Sequence, residues 1–86
     1  MSNLNKNPVL EFALEMQKEL DENKHKGSES WRSECSLDYL LKRLYEEADE
    51  ICKCVETNSS TEGVISECAD VANFAMVIAD IYKQKE

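Results

Sequence analysis

The chain has 86 residues, and 18 acidic against 10 basic side chains give it a formal net charge of −8. A chain of this length buries a modest share of its surface, so we expect one domain over residues 1–86 that forms a homo-oligomer. The negative field repels nucleic-acid polymers and anionic membranes, and a small anionic ligand would need a divalent cation as a bridge. The longest apolar stretch is interrupted by acids and the N-terminus lacks a leader pattern, which predicts a cytoplasmic protein.

The first helix is predicted over about residues 8–24. Asn7 precedes Pro8, and this pair is typical of an N-cap followed by proline in the first turn. Apolar residues then follow at helical spacing, at Val9, Phe12, Ala13, Met16 and Leu20. The next segment, 25–35, is polar and contains glycine and serine, so we expect a loop there.

The second helix is predicted over about residues 36–57, with Ser33 or Ser36 as its cap. Its apolar residues recur at steps of three and four and predict a single buried stripe, formed by Leu37, Leu40, Leu41, Leu44, Ala48, Ile51 and Val55. The third helix is predicted over about 60–83. Ser59 and Glu62 have the spacing of a capping box at its start.

The three helices and the short connection at 58–61 predict an all-α fold in which helices two and three form an antiparallel hairpin. Helix three is apolar around more of its circumference than one packed face requires, which favours a further contact with another subunit. The residues concerned are Val71, Phe74, Ala75, Val77, Ile78, Ile81 and Tyr82.

The four cysteines are expected to be reduced thiols that pack as small apolar residues. Cys52 and Cys54 lie two positions apart, which on a helix turns their thiols about 200° away from each other. A zinc site that uses thiols and His25, the one histidine of the chain, is the alternative.

Two pairs of acids are placed for metal binding. Glu47 and Glu50 project from one side of helix two, and Glu67 and Asp70 from one side of helix three. Each pair alone could be an acidic surface of a helix. A hairpin would bring both pairs together, and four close carboxylates need protons or a divalent cation to neutralise them. Oxygen ligands favour Mg²⁺, with Mn²⁺ as a second possibility, and suggest hydrolysis of a phosphoanhydride.

The motif Glu46-Glu47-x-x-Glu50 followed by Glu67-x-x-Asp70 resembles the signature of the MazG-like all-α nucleoside triphosphate pyrophosphohydrolases. The resemblance extends over most of residues 10–82 and includes Lys24 to Gly27, Tyr39 to Leu41 and Asp70 to Met76. It implies that Mg²⁺ is held by Glu47, Glu50, Glu67 and Asp70, and it makes Glu46 and Glu47 the catalytic candidates, with Glu46 either supporting the metal ligands or orienting a water. It also implies cleavage of a nucleoside triphosphate to a monophosphate and pyrophosphate by a dimer or tetramer.

Four further residues are candidates for substrate binding. Lys26 and Arg32 could pair with phosphates, Trp31 could stack on a base, and Asn73 could bond to a ligand oxygen. Their alternatives are solvated loop cations, a packing aromatic residue and a polar residue at a subunit boundary. The alternative function for the whole chain is a non-catalytic helical module that oligomerises or that senses nucleotides.

Overall fold

The computed structural model describes residues 7–22 and 36–85. Within these ranges the chain forms three helices and no strand: α1 is Pro8–Glu22, α2 is Leu37–Glu56 and α3 is Thr61–Gln84. The all-α prediction is confirmed, and the bounds of α2 and α3 lie within one residue of those expected. The predicted end of helix one at residue 24 and the loop 25–35 lie outside the described residues.

The starts of α1 and α2 are capped as the sequence indicates. The side-chain Oδ1 of Asn7 accepts hydrogen bonds from the backbone N–H groups of Val9 and Leu10, at 2.9 and 3.3 Å. Ser36 Oγ accepts from the N–H of Tyr39 at 3.1 Å. Each cap satisfies backbone donors that have no partner within the helix.

The junction between α2 and α3 differs from the prediction by one residue. Asn58 adopts a left-handed conformation with φ of 56°. The N–H of Ser59 then reaches the carbonyl of Cys54 at 2.9 Å, which closes α2 with a Schellman motif. Because Ser59 completes the end of α2, Ser60 caps α3 and accepts from the N–H of Gly63 at 3.0 Å. The predicted capping box from Ser59 to Glu62 is therefore wrong.

Helix α3 is the central element, because α1 and α2 both pack against it. Its most buried residues are Ala69, Asn73 and Val77, and Leu40 of α2 joins them in the core. Two neighbouring helices in the same chain thus cover much of the wide apolar circumference of α3. Ala75 and Tyr82, two of the residues expected to meet another subunit, remain exposed, so that contact stays a prediction.

The predicted single stripe of α2 is divided in two. Leu40 is buried, and Leu37, Leu44, Ala48 and Ile51 are half-buried. Leu41 and Val55, in contrast, are 44% and 58% exposed. Leu41 follows Leu40 by one residue and so lies about 100° further around the helix, beyond the reach of the single helix that α2 packs against.

None of α1, α2 and α3, as described, is long and apolar enough to cross a bilayer.

Candidate metal centre

Three acids from α2 and α3 meet where the two helices pack. Glu47, Glu67 and Asp70 each place one carboxylate oxygen within 4.8 Å of the others, and all three residues are half-buried. Glu67 and Asp70 are three residues apart and therefore lie on the same side of α3, opposite Glu47 of α2. We call these three residues the acid triad.

The surroundings of the acid triad favour the neutral form of two of its carboxyl groups. Burial raises the pKa of Glu67 to about 7, helped by a carboxyl contact with Glu47 and by the charges of Glu47, Asp70 and Glu50. Burial also raises the pKa of Asp70 to about 6, and the charges of Glu19 and Glu47 add to this effect. Two carboxyl groups in hydrogen-bond contact must share a proton. The acid triad therefore carries negative charge that a proton or a cation has to neutralise.

One oxygen of the triad has no partner in the described part of the chain. Glu67 Oε1 is buried, and no hydrogen-bond donor reaches it. An unpaired buried carboxylate oxygen is costly, because its lost hydration is not replaced. A proton or a cation at this position would remove the cost.

A fourth acid, which the sequence analysis missed, comes from α1. Glu19 accepts a hydrogen bond from Ser66 Oγ at 2.7 Å and lies beside Asp70, whose pKa it raises. It is half-buried. The spacing gave a partial signal, because Glu19 follows the half-buried Phe12 and Met16 at steps of four and three, on the same side of α1.

Arg43, also missed, lies on the α2 side of the triad. Its guanidinium donates to Glu47 Oε2 at 2.9 Å and to Glu46 Oε1 at 2.6 Å, and its Cζ lies 5.4 Å from the ring centroid of Phe74. Two ion pairs and a cation–π contact fix its position. Arg43 is the positive group that partly balances the triad, and it lowers the pKa of Asp70.

The other predicted site residues lie elsewhere or outside the described residues. Glu50 is exposed and not part of the triad, and Glu46 points to Arg43 with its side chain 46% exposed. Asn73 is buried, and its Nδ2 donates to the backbone carbonyl of Met16 at 3.1 Å, which ties α3 to α1. The predicted substrate-binding residues of the loop are not described by the structure: Lys26, Trp31 and Arg32.

The thiols and the junction cavity are separate from the acids. Cys52, Cys54 and Cys68 are free, while Cys35 and His25, which the zinc alternative would use, lie outside the described residues. A shallow cavity at the α2–α3 junction is lined by apolar and hydroxyl or amide side chains and carries no charged group.

Known proteins provide no further constraint on the site. Comparison with protein families, with curated proteins and with solved structures finds no match for this chain. The acidic residues themselves therefore carry any assignment of function.

Proposed function

We propose that the acid triad binds a divalent cation, Mg²⁺ or Mn²⁺, and that the chain uses it to hydrolyse nucleoside triphosphates to monophosphates and pyrophosphate. The observation that carries this proposal is the buried, unpaired Oε1 of Glu67 within a group of three converging carboxylates. The motif that resembles the MazG-like pyrophosphohydrolases supplies the reaction class.

The charge balance of the site supports a cation rather than a purely structural role. With its pKa near 7, Glu67 keeps its proton for much of the time at neutral pH when no metal is bound. A divalent cation can replace that proton and also satisfy the unpaired oxygen. Carboxylate oxygens without thiol or imidazole groups suit Mg²⁺ and Mn²⁺ better than zinc.

The contacts along α2 and α3 support the antiparallel hairpin on which this site depends. Near the connection, Cys54 and Val64 line the same cavity. Further from it Glu47 meets Glu67, and further still Arg43 lies over Phe74. From pair to pair, the residue in α2 lies earlier in the chain and the residue in α3 lies later. This order is that of two antiparallel helices.

The surrounding residues have distinct roles in this proposal. A bound cation would neutralise phosphate oxygens and lower the pKa of a bound water. Arg43 holds Glu47 in position and is a cation beside the triad that can pair with a phosphate oxygen that the metal does not reach. Glu46 is exposed beside it and can orient a water. We assign base and phosphate contacts in the 25–35 segment to Lys26, Trp31 and Arg32.

Two residues of the predicted site take lesser roles. Glu50 lies outside the triad, and its charge raises the pKa of Glu67. We propose that it becomes a metal ligand only when its exposed side chain turns towards the triad. Asn73 donates from Nδ2 to Met16, while its buried Oδ1 has no hydrogen-bond partner in the described part of the chain, so its proposed bond to a ligand would use that oxygen. The homodimer or homotetramer is part of the proposal, since a neighbouring subunit could complete the nucleotide pocket.

Metal binding is tested first, by titration with Mn²⁺ monitored by electron paramagnetic resonance. We expect saturable binding in the wild type and at least about tenfold weaker binding in Glu67→Gln, which keeps the shape but loses the charge. Glu62→Gln is the matched control, because Glu62 is an exposed acid in the first turn of the same helix. Equal binding by both variants would remove the triad as the site.

Product analysis then tests the reaction. The protein is incubated with ribo- and deoxyribonucleoside triphosphates and Mg²⁺ or EDTA, and products are identified by phosphorus NMR. Metal-dependent monophosphate and pyrophosphate support the proposal, and diphosphate with phosphate would show a different reaction. Nucleotide binding without product would favour the sensing module.

A further inference from the structure

Helix α2 has a second apolar row on the side that does not face α3. The row runs from Leu41 to Val55 at alternating steps of four and three, and we call it the outer seam; it consists of Leu41, Tyr45, Ala48, Cys52 and Val55. Tyr45 is 78% exposed, Val55 58% and Leu41 44%, and Cys52 is also exposed, while the small Ala48 at the centre is half-buried and Val55 also borders the junction cavity. The buried row of the same helix passes through Leu40 and Ile51, about 100° away.

The spacing of the outer seam is that of a helix that pairs with another helix. Alternating steps of three and four give the 3.5-residue repeat of a coiled coil, in which each apolar side chain enters a gap on the partner. From Leu41 to Val55 the row is about 21 Å long at 1.5 Å per residue. An exposed row of this length on a small acidic protein indicates an interaction surface.

Charged residues along one flank of the outer seam identify the partner. Lys42, Asp49 and Glu56 each follow a seam residue by one position, so they share this flank, with the cation at one end and the acids towards the other. The ion pairs of the described part of α2 join Lys53 to Asp49 and Arg43 to its two glutamates, and they leave Lys42 and Glu56 without one. Lys42 and Glu56 are about 21 Å apart along the helix and cannot pair within one chain.

We propose that the outer seam is a self-association face on which α2 packs antiparallel against α2 of a second copy. A twofold axis perpendicular to the two helices brings the same flank of each seam together and reverses its direction. Lys42 of each copy then faces the acidic half of its partner, and this happens twice. In a parallel pair the charged flank would instead meet the opposite flank, which carries Leu44 and Ile51. The proposal does not rest on the function of the acid triad.

Sedimentation velocity over a range of protein concentrations tests the face. We expect the wild type to associate and Tyr45→Asp to raise the dissociation constant by roughly a hundredfold, because a central anchor is lost in both copies. Leu14→Asp is the matched control, since Leu14 is an apolar residue on α1 that is 72% exposed. A wild type that stays monomeric at millimolar concentration, or an equal effect of both substitutions, would overturn the proposal.

Charge reversal tests the orientation. Lys42→Glu should weaken association at least about tenfold, because it sets like charges against each other at two places. Adding Asp49→Lys and Glu56→Lys to the same chain should restore most of the lost affinity in an antiparallel pair. These positions are exposed, so folding of the variants is checked by circular dichroism. Failure of the combined variant to recover would contradict the antiparallel arrangement.

Discussion

The carboxyl groups of Glu67 and Asp70 retain protons at pH values where an exposed acid has lost them. Their pKa values of about 7 and about 6 arise first from burial and then from the neighbouring carboxylates. A residue of this kind makes the folded state bind more protons than the unfolded state. The metal-free protein is therefore expected to gain stability as its triad is protonated.

The first prediction concerns the pH dependence of stability without metal. Because the folded-state pKa values are raised, the free energy of unfolding should fall as the pH increases from about 4 to about 7.5, by on the order of 1 kcal/mol after allowing for solvent screening. Urea unfolding in EDTA at several pH values measures this slope. The double variant Glu67→Gln, Asp70→Asn is the control and should lose most of it. A stability that rises with pH in the wild type would contradict the cause we assign.

The second prediction concerns Glu19, the acid that α1 supplies. Its bond from Ser66 and its place beside Asp70 make it a positioning residue for the triad. Glu19→Gln should weaken Mn²⁺ binding roughly tenfold, an effect typical of groups that orient metal ligands, and should lower the pKa of Asp70. Carbon-detected NMR titration of the aspartate carboxyl groups follows the pKa directly. Glu11→Gln, on an exposed side of α1, should change neither quantity.

At the scale of elements, the junction between α2 and α3 shows how two caps divide a short sequence. Asn58 and Ser59 end α2, and Ser60 begins α3. Gly63 fits this arrangement closely, because a Cβ atom there would lie 3.1 Å from Ser60 Oγ. The junction fixes where α3 starts and therefore which turn of α3 carries Glu67.

The third prediction separates the two serines. Ser60→Ala removes the acceptor for the N–H of Gly63 and should cost about 1 kcal/mol, which lowers the melting temperature by about 4–8 °C in a domain of this size. Ser59→Ala should cost less, because it keeps the backbone N–H that closes α2 and loses only a long, exposed hydrogen bond between Ser59 Oγ and Thr57 Oγ1 at 3.3 Å. Thermal unfolding by circular dichroism compares the two. A larger loss of stability in Ser59→Ala than in Ser60→Ala would instead support the capping box from Ser59 to Glu62.

The elements were predictable because their signals are local. The cap at Asn7, the cap at Ser36 and the spacing of the apolar residues each depend on a few neighbouring positions, and the helices follow them closely. The capping box failed because a second local motif, the Schellman closure, competed for Ser59. The prediction of a single stripe on α2 failed for a different reason. Leu40 and Leu41 are the same residue type in the sequence, and only the packing of α3 decides that Leu40 is buried and Leu41 is exposed.

The site was predictable only in part. The spacing of Glu67 and Asp70 placed both acids on one face, and the short connection brought Glu47 to them. The spacing of α1 put Glu19 on the side of Phe12 and Met16, but its place beside Asp70 depended on how α1 packs against α3, which no local pattern specifies. Arg43 was missed because an arginine one turn before two glutamates is usual on a solvated helix surface.

At the scale of the whole molecule, the described core is thin for three helices. Its buried residues are Leu40, Ala69, Val77 and the polar Asn73, of which Leu40 is the one large apolar side chain. A small domain with so little buried apolar volume depends on other contributions to stability. The acid triad and the outer seam are two places where a cation and a second copy could provide them.

The fourth prediction is that these two contributions are independent. Mg²⁺ or Mn²⁺ at a hundred times its dissociation constant should stabilise the fold by about 2.7 kcal/mol. Glu47 lies roughly 120° around α2 from the outer seam, so Tyr45→Asp should retain this metal-dependent increase while it loses the dependence of the melting temperature on protein concentration. Glu67→Gln should show the reverse.

Scanning calorimetry of both variants, with and without metal and at two protein concentrations, separates the effects. If Tyr45→Asp also abolished the metal-dependent increase, the cation site would require the second copy, and the two surfaces would have to be parts of one assembly. Retention of the increase would instead place the whole cation site within a single chain. Tyr45 lies on the outer seam and not beside Glu67 or Asp70, so its substitution can affect the acid triad only through the partner copy.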